Sequence, residues 1–297
     1  MPNPTLGTLY GVDVAGSMTG GITSQKVNPA LRRVIAAADG SPDASYSAVA
    51  EADPAIEFST LTLGLLTTLG MTGLYLSATA VNFWFQAYLE GGTRKTGANH
   101  LKLTQTKGMI VPRSVSASQG DSFAMLNVAA IATWDGTNAP FILNPAAALS
   151  GTPAIATCYG LGPAYVGGTQ IPGVTSITLD FGINLKMGRH DGDVYPRTSG
   201  VRSRRPTLRI QTEHMLALSD LGMVGSNPVS FAQYFRKKEA GGVNVADATT
   251  EHFKVAGTNC SVHVEDLSAN QDSEAVCAIV VQAFNVPTFN AASAIGG

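Results

Sequence analysis

Charge is what this chain has least of. Only 13% of its 297 residues are Asp, Glu, Lys or Arg, about half the fraction usual in a soluble domain. Nineteen basic residues stand against twenty-one acidic ones, which excludes the strongly basic surface of a general nucleic-acid binder. Cysteine is scarce too. Cys158, Cys260 and Cys277 have no CxxC spacing and no His pairing, so neither a metal site nor a redox pair is read from them. An odd number of scattered thiols fits assembly in a reducing cytoplasm. The longest charge-free stretch, between Glu57 and Glu90, is broken by Thr, Gly, Asn82 and Gln86. It holds no unbroken apolar run of membrane-spanning length, so no membrane partner is expected. Residues 1–5 carry neither a basic nor an apolar region, and no signal peptide is expected there.

Motifs of catalysis are missing as well. There is no GxSxG, HExxH or Walker loop, and no GxGxxG placed between a strand and a helix. Glu213-His214 and Glu251-His252 are adjacent pairs, whose side chains point apart in helix or strand and cannot share a metal. His100 and His252 each stand two residues before a Lys, and are expected to be strand histidines at a polar interface. No catalytic, metal or cofactor residues are assigned, and the chain is not expected to be an enzyme. What replaces the charges is Ala, Gly, Thr and Ser. A surface so poor in charge would not keep a monomer unassociated, so copies of the chain, or partners, are expected to cover much of it.

An internal repeat organises the sequence. Shifting the chain by 152 residues lays 21–139 on 173–291 without a gap, and 25 of 119 pairs are identical, where chance would give roughly a third of that. Gly21-Ile22-Thr23-Ser24 meets Gly173-Val174-Thr175-Ser176, Asp39-Gly40 meets Asp191-Gly192, and Leu69-Gly70-Met71 meets Leu221-Gly222-Met223. His100 and Lys102 meet His252 and Lys254. The expected organisation is an N-terminal arm (1–19), unit 1 (20–139), a Gly/Pro/Ala-rich connector (140–172), unit 2 (173–291) and a C-terminal tail (292–297).

Each unit reads alike. A short strand leads into a long segment with an Asp-Gly turn, the signal of a hairpin tip. A Pro-led alternating strand follows (54–58; 206–210), ending at Thr60 or Thr212, which are expected to cap a short helix. Leu61, Leu65, Leu66 and Leu69 form the helix's apolar face in unit 1, and Leu216, Leu218 and Leu221 in unit 2. Gly70 and Gly222 sit at its C-cap. Further strands are expected at 81–89, 99–106, 108–115 and 123–133, with counterparts at 233–238, 251–256, 260–266 and 274–284. The fold class is mainly β (α+β), a small barrel or sandwich of antiparallel strands with one helix, present twice.

One place in the repeat inverts its charge. Glu51, Asp53 and Glu57 of unit 1 align with Ser203, Arg205 and Arg209 of unit 2, within the run Arg202-Ser203-Arg204-Arg205. The inversion suggests that the copies alternate round a ring, with these strands meeting through opposite charges. The long loops at 28–50 and 180–202 have few core-type residues and are expected to order only on a stacked neighbour, with Asp39, Gly40, Asp191 and Gly192 at their tips.

In this order of elements, carried by Ser176-Ile177-Thr178-Leu179-Asp180, Asp191-Gly192-Asp193-Val194-Tyr195-Pro196 and Pro206-Thr207-Leu208-Arg209-Ile210-Gln211-Thr212, the chain resembles the tail tube proteins of tailed bacteriophages. The resemblance spans both units and matches the form in which two units are fused, as in some phages with long non-contractile tails. It implies two tandem tail-tube-like units, and three chains making a pseudo-hexameric ring in a virion tail assembled in the host cytoplasm. Partners would be the chain itself and the tape-measure, tail-terminator and distal-tail proteins, with duplex DNA passing unbound through a neutral or acidic lumen. Another ring-forming component, a distal-tail or head-tail connector protein, is the alternative, and a duplicated-barrel enzyme a more distant one.

Overall fold

The computed structural model describes every residue except 1–5, 38–41, 77–79, 89–93, 98, 122, 154–156, 215–228, 240, 271–272 and 297. It is nearly all antiparallel β. In the first half run β1 (Leu6–Val14), β2 (Ser17–Thr19), β3 (Ile22–Asn28), β4 (Leu31–Ala36), β5 (Tyr46–Ala52) and β6 (Ala55–Thr60). The helix α1 (Leu65–Leu69) follows, then β7 (Leu74–Leu76), β8 (Val81–Tyr88), β9 (His100–Gln105), β10 (Gly108–Ser118), β11 (Met125–Ala132) and β12 (Phe141–Ala147).

The second half contains β13 (Cys158–Val166), β14 (Thr169–Ile171), β15 (Val174–Asp180), β16 (Asn184–Gly188), β17 (Thr198–Ser203) and β18 (Thr207–Thr212). It ends with β19 (Val229–Lys238), β20 (His252–Asn270), β21 (Ser273–Ala283) and β22 (Thr288–Ser293). The helix expected over Leu216, Leu218, Leu221 and Gly222 lies outside the described residues.

Two sheets make the first half. One runs β12-β9-β8-β1-β2, and the other carries β10-β11-β6-β3, with β7 also on β10. They face each other across an apolar core, where Phe58 of β6 meets Phe83 of β8 edge to face at 6.0 Å. Strand alternation explains the burial: Ile56, Phe58 and Thr60 point inward at 2% exposure or less, while Glu57 points out. The second half repeats the order as β22-β20-β19-β13-β14 and β20-β21-β18-β15. Here β20 is unbroken and serves both sheets, whereas β9 and β10 part at Gly108.

Several boundaries differ from those expected. The described part of the arm, 6–19, is mostly strand: β1 pairs with β8 from Leu6↔Tyr88 to Val14↔Val81. The connector at 140–172 is mostly strand as well. Its start, β12, pairs with β9, and its end, β13 and β14, pairs as β1 and β2 do. The C-terminal tail begins inside β22, which closes on β20. Backbone polar groups must be satisfied, and free sheet edges beside these segments satisfy them despite their Gly and Pro.

The gapless alignment also needs small shifts. Thr60 faces Leu126 on β11, and Thr212 faces Cys277 on β21, so Cys277 answers to Leu126 rather than Met125. Phe83 faces Leu103, and Gln233 faces Val255, which moves β19 by two residues relative to β8.

Thr60 does not cap α1, which starts five residues on. The hydroxyls of Thr60 and Thr212 each accept an N–H two residues on, from Thr62 or His214, and donate to the carbonyl of Gly20 or Pro172, fastening the strand end. The helix begins after Gly64 with no side-chain cap, and Gly70 closes it at φ 57° with its N–H on the Leu66 carbonyl.

Candidate functional site

The two halves join edge to edge. β10 of the first half pairs antiparallel with β15 of the second, in the register Ser114↔Asp180, Val115↔Leu179, Ser116↔Thr178, Ala117↔Ile177, Ser118↔Ser176. The backbone bonds Gln119 N–H to Thr175 O at 2.7 Å and Phe181 N–H to Arg113 O at 3.0 Å extend the seam. Its apolar residues are buried: Val115 and Leu179 at 0%, Ile177 at 1%, Ala117 at 4%. The edges are unlike, one at the end of each half's four-strand sheet.

Each edge has a counterpart left open. β3 occupies in the first half the place of β15, and among the described residues it pairs only with β6. Residues 266–270 of β20 occupy the place of 114–118 of β10, and among the described residues they are paired only on the β21 side. At these edges Val27 is 40% and Leu267 42% exposed. They stand where Leu179 and Val115 are buried at the seam.

A second contact joins the halves. The hairpin β16–β17 of the second half lays the flanks of its tip on the first half. Ala52 N–H donates to Val194 O at 2.9 Å, and Trp134 N–H to Pro196 O at 2.8 Å. The Arg189 guanidinium reaches the Asp53 carboxylate at 2.5 Å and the Ala52 carbonyl at 3.3 Å. Arg197, held by the Asp193 carboxylate, sits over the Trp134 ring at 4.6 Å.

The turn behind Trp134 is set by Asp135. Its carboxylate accepts the Asn138 side-chain amide at 3.0 Å and the backbone N–H groups of Asn138 and Thr137 at 2.7 and 2.8 Å. These bonds, the Asn138 side chain first, hold its pKa down at about 2. A depressed carboxylate contributes its stabilisation fully above the ordinary value and loses it as pH falls through the lowered one. Following the Asp135 carboxyl by NMR should give a titration midpoint near 2, and Asn138→Ala should raise it toward 3.8.

The sequence-predicted charges fall in several places. Glu51 pairs with Arg32 across its own hairpin β4–β5 at 3.0 Å. Arg209 pairs with Glu265 at 2.6 Å. Glu57 lies opposite Lys26 in the sheet. Asp53 alone bridges the halves, and its partner is Arg189 rather than the inverted strand. Within the single chain the inverted strands do not meet, because β11, β10 and β15 stand between β6 and β18. Arg202, Arg204 and Arg205 are exposed and have no carboxylate partner among the described residues.

Asp191 and Gly192 form the exposed tip of β16–β17 at φ 54° and 76°. Asp39 and Gly40 lie outside the described residues. The hairpins expected to order only on a neighbour have their strands formed within the single chain, by the ladders β4–β5 and β16–β17.

His100 and His252 hold the backbone of neighbouring strands. His100 Nδ1 accepts the Ala87 N–H and His252 Nδ1 the Lys237 N–H, both imidazoles fully buried. Burial raises the pKa of all three cysteines, which keeps them as thiols. Among the described residues no three of His, Cys, Asp and Glu are placed to hold a metal, and no helix is long and apolar enough to cross a membrane. No protein-family model matches the chain, and no curated protein is similar to it.

Proposed function

We propose that this chain is a structural virion protein. It polymerises through its open sheet edges into rings that stack as the tail tube of a tailed bacteriophage, the conduit for DNA ejection. One observation carries the reading: the seam between β10 and β15 joins two unlike edges, and the chain ends in the same two edges unpaired. Repeating the seam between copies pairs Leu267 with Val27 as Val115 pairs with Leu179, and Asp266 with Asn28 as Ser114 pairs with Asp180. A sheet extended this way has no edge left once it closes on itself, which removes the aggregation hazard of open strands.

The outer face of that sheet suits a bore. Across four strands runs a ladder of neutral hydrogen bonds: Ser24 to Ser59 at 3.0 Å, Ser59 to Asn127 at 2.7 Å, and Asn127 to Ser114 at 3.0 Å. Ser176 and Gln211 continue it at 2.6 Å in the second half. Hydroxyls and amides already bonded to one another offer few cations to a passing phosphate backbone, and Arg209 is neutralised by Glu265.

The structural counterpart of nearly every strand lies about 152 residues on, and we read the halves as duplicated tube units. Tape-measure, tail-terminator and distal-tail proteins are the partners this role implies. Three chains then supply six positions in a ring. Native mass spectrometry of dissociated tubes should give trimers; six chains per ring would overturn the stoichiometry, and a chain that stays monomeric at all concentrations would overturn the function.

A further inference from the structure

The hairpin β4–β5 is the least covered part of the described chain. Every residue of β4 is exposed; Ile35 is at 65%, Tyr46 at 67%, Val34 at 46% and Leu31 at 45%. An isolated two-stranded hairpin with so much apolar surface is marginal in water. Its counterpart, β16–β17, has solved this problem by lying on the first half, on Ala52, Asp53 and Trp134. The corresponding seat on the second half is Arg204, Arg205 and Asn285, all exposed among the described residues. Beside it is a groove of about 410 Å³ lined by Met71, Val201, Arg202, Arg204, Phe284 and Val286. Phe284 and Val286 are 55% and 54% exposed.

We infer that β4–β5 of one copy docks into this groove on the second half of the adjoining copy. The inference rests on the reading that copies join edge to edge, since that seam brings the first half of one chain beside the second half of another. The filled seat holds its guest by one ion pair, Asp53 with Arg189, and by the backbone bonds of Ala52 and Trp134 to the flanks of the tip. The open seat sets exposed Phe284 and Val286 beside Arg204 and Arg205, and the guest brings the exposed apolar side chains Val34, Ile35 and Tyr46. Away from this hairpin, this groove, the open edges and β12, the exposed large apolar side chains among the described residues are Tyr75, Phe123 and Val243.

Two pairs of cysteine variants, in a Cys158→Ser background, separate this inference from the edge reading. Ala44 and Asn285 answer to Pro196 and Trp134, so mixed Ala44→Cys and Asn285→Cys chains should form a disulfide dimer on mild oxidation. Mixed Val27→Cys and Leu267→Cys chains should do the same through the seam. Cross-linking at both sites supports the docking. Cross-linking at the seam alone, with the hairpin still cut by protease in assembled rings, overturns the docking and leaves the seam standing. Cross-linking at neither, in a chain that stays monomeric, overturns both. In a second measurement, Ile35→Asp with Tyr46→Asp should weaken association about tenfold. Unchanged association would overturn the docking.

Discussion

Val27→Asp combined with Leu267→Asp leaves a folded chain that makes no rings. Both side chains are about two-fifths exposed in the single chain, so the substitutions cost it about 0.5 kcal/mol or less. At the proposed seam the two residues face each other across paired strands, as the fully buried Val115 and Leu179 do within the chain. Two carboxylates there lose the apolar contact, lose hydration and repel. The expected loss is about 3 kcal/mol per seam, a weakening on the order of a hundredfold. Sedimentation at concentrations where the native chain assembles should show monomers alone. Leu179→Asp, at the seam inside the chain, should instead unfold the protein. If the double variant assembles normally, copies do not meet at these edges.

Gly108→Ala is expected to be the most damaging methyl group that can be added to the first half. Gly108 has φ +129°, and a Cβ there would fall 2.0 Å from the Ile131 carbonyl oxygen and 2.8 Å from the Gln105 side-chain nitrogen. That oxygen takes a hydrogen bond from the same Gln105 amide at 2.9 Å, so the clash breaks the bond that ties the two sheets at their corner. The cost should be about 3 kcal/mol or more, a large share of an ordinary domain's stability. Cys260 holds the equivalent place and is fully buried in an unbroken strand. Cys260→Ala should therefore cost only about 1 kcal/mol. Urea midpoints of the two variants give the comparison, and equal losses would show that the corner is not what makes Gly108 necessary.

The sequence showed the repeat and most strands because each is a local pattern: alternation in Ala55–Thr60, the Asp-Gly tip, Gly70 after the leucines. It concealed what depends on distant partners. Gly160, Gly162 and Pro163 look like a loop, yet they lie in β13. Gly162 is needed there because a Cβ would stand 2.5 Å from the Tyr234 carbonyl. Residues 6–14 read as an arm outside the unit for the same reason, since Gly7 and Gly11 interrupt the apolar pattern of β1. Thr60 reads as a helix cap because a hydroxyl two residues before an N–H looks the same at a strand end. The charge inversion was visible, but not its meaning, because no local pattern tells which edges of a sheet meet. Asp53 finds Arg189 across 136 residues.

Because β10 meets β15 and never another β10, two copies cannot face each other across a twofold axis through this seam. Every chain must point the same way round. An assembly built on it has polarity: each ring of the proposed tube would show one surface above and a different one below. If such rings stack front to back, the first one laid down fixes the direction of all that follow, and the two ends of the tube offer different surfaces to their partners.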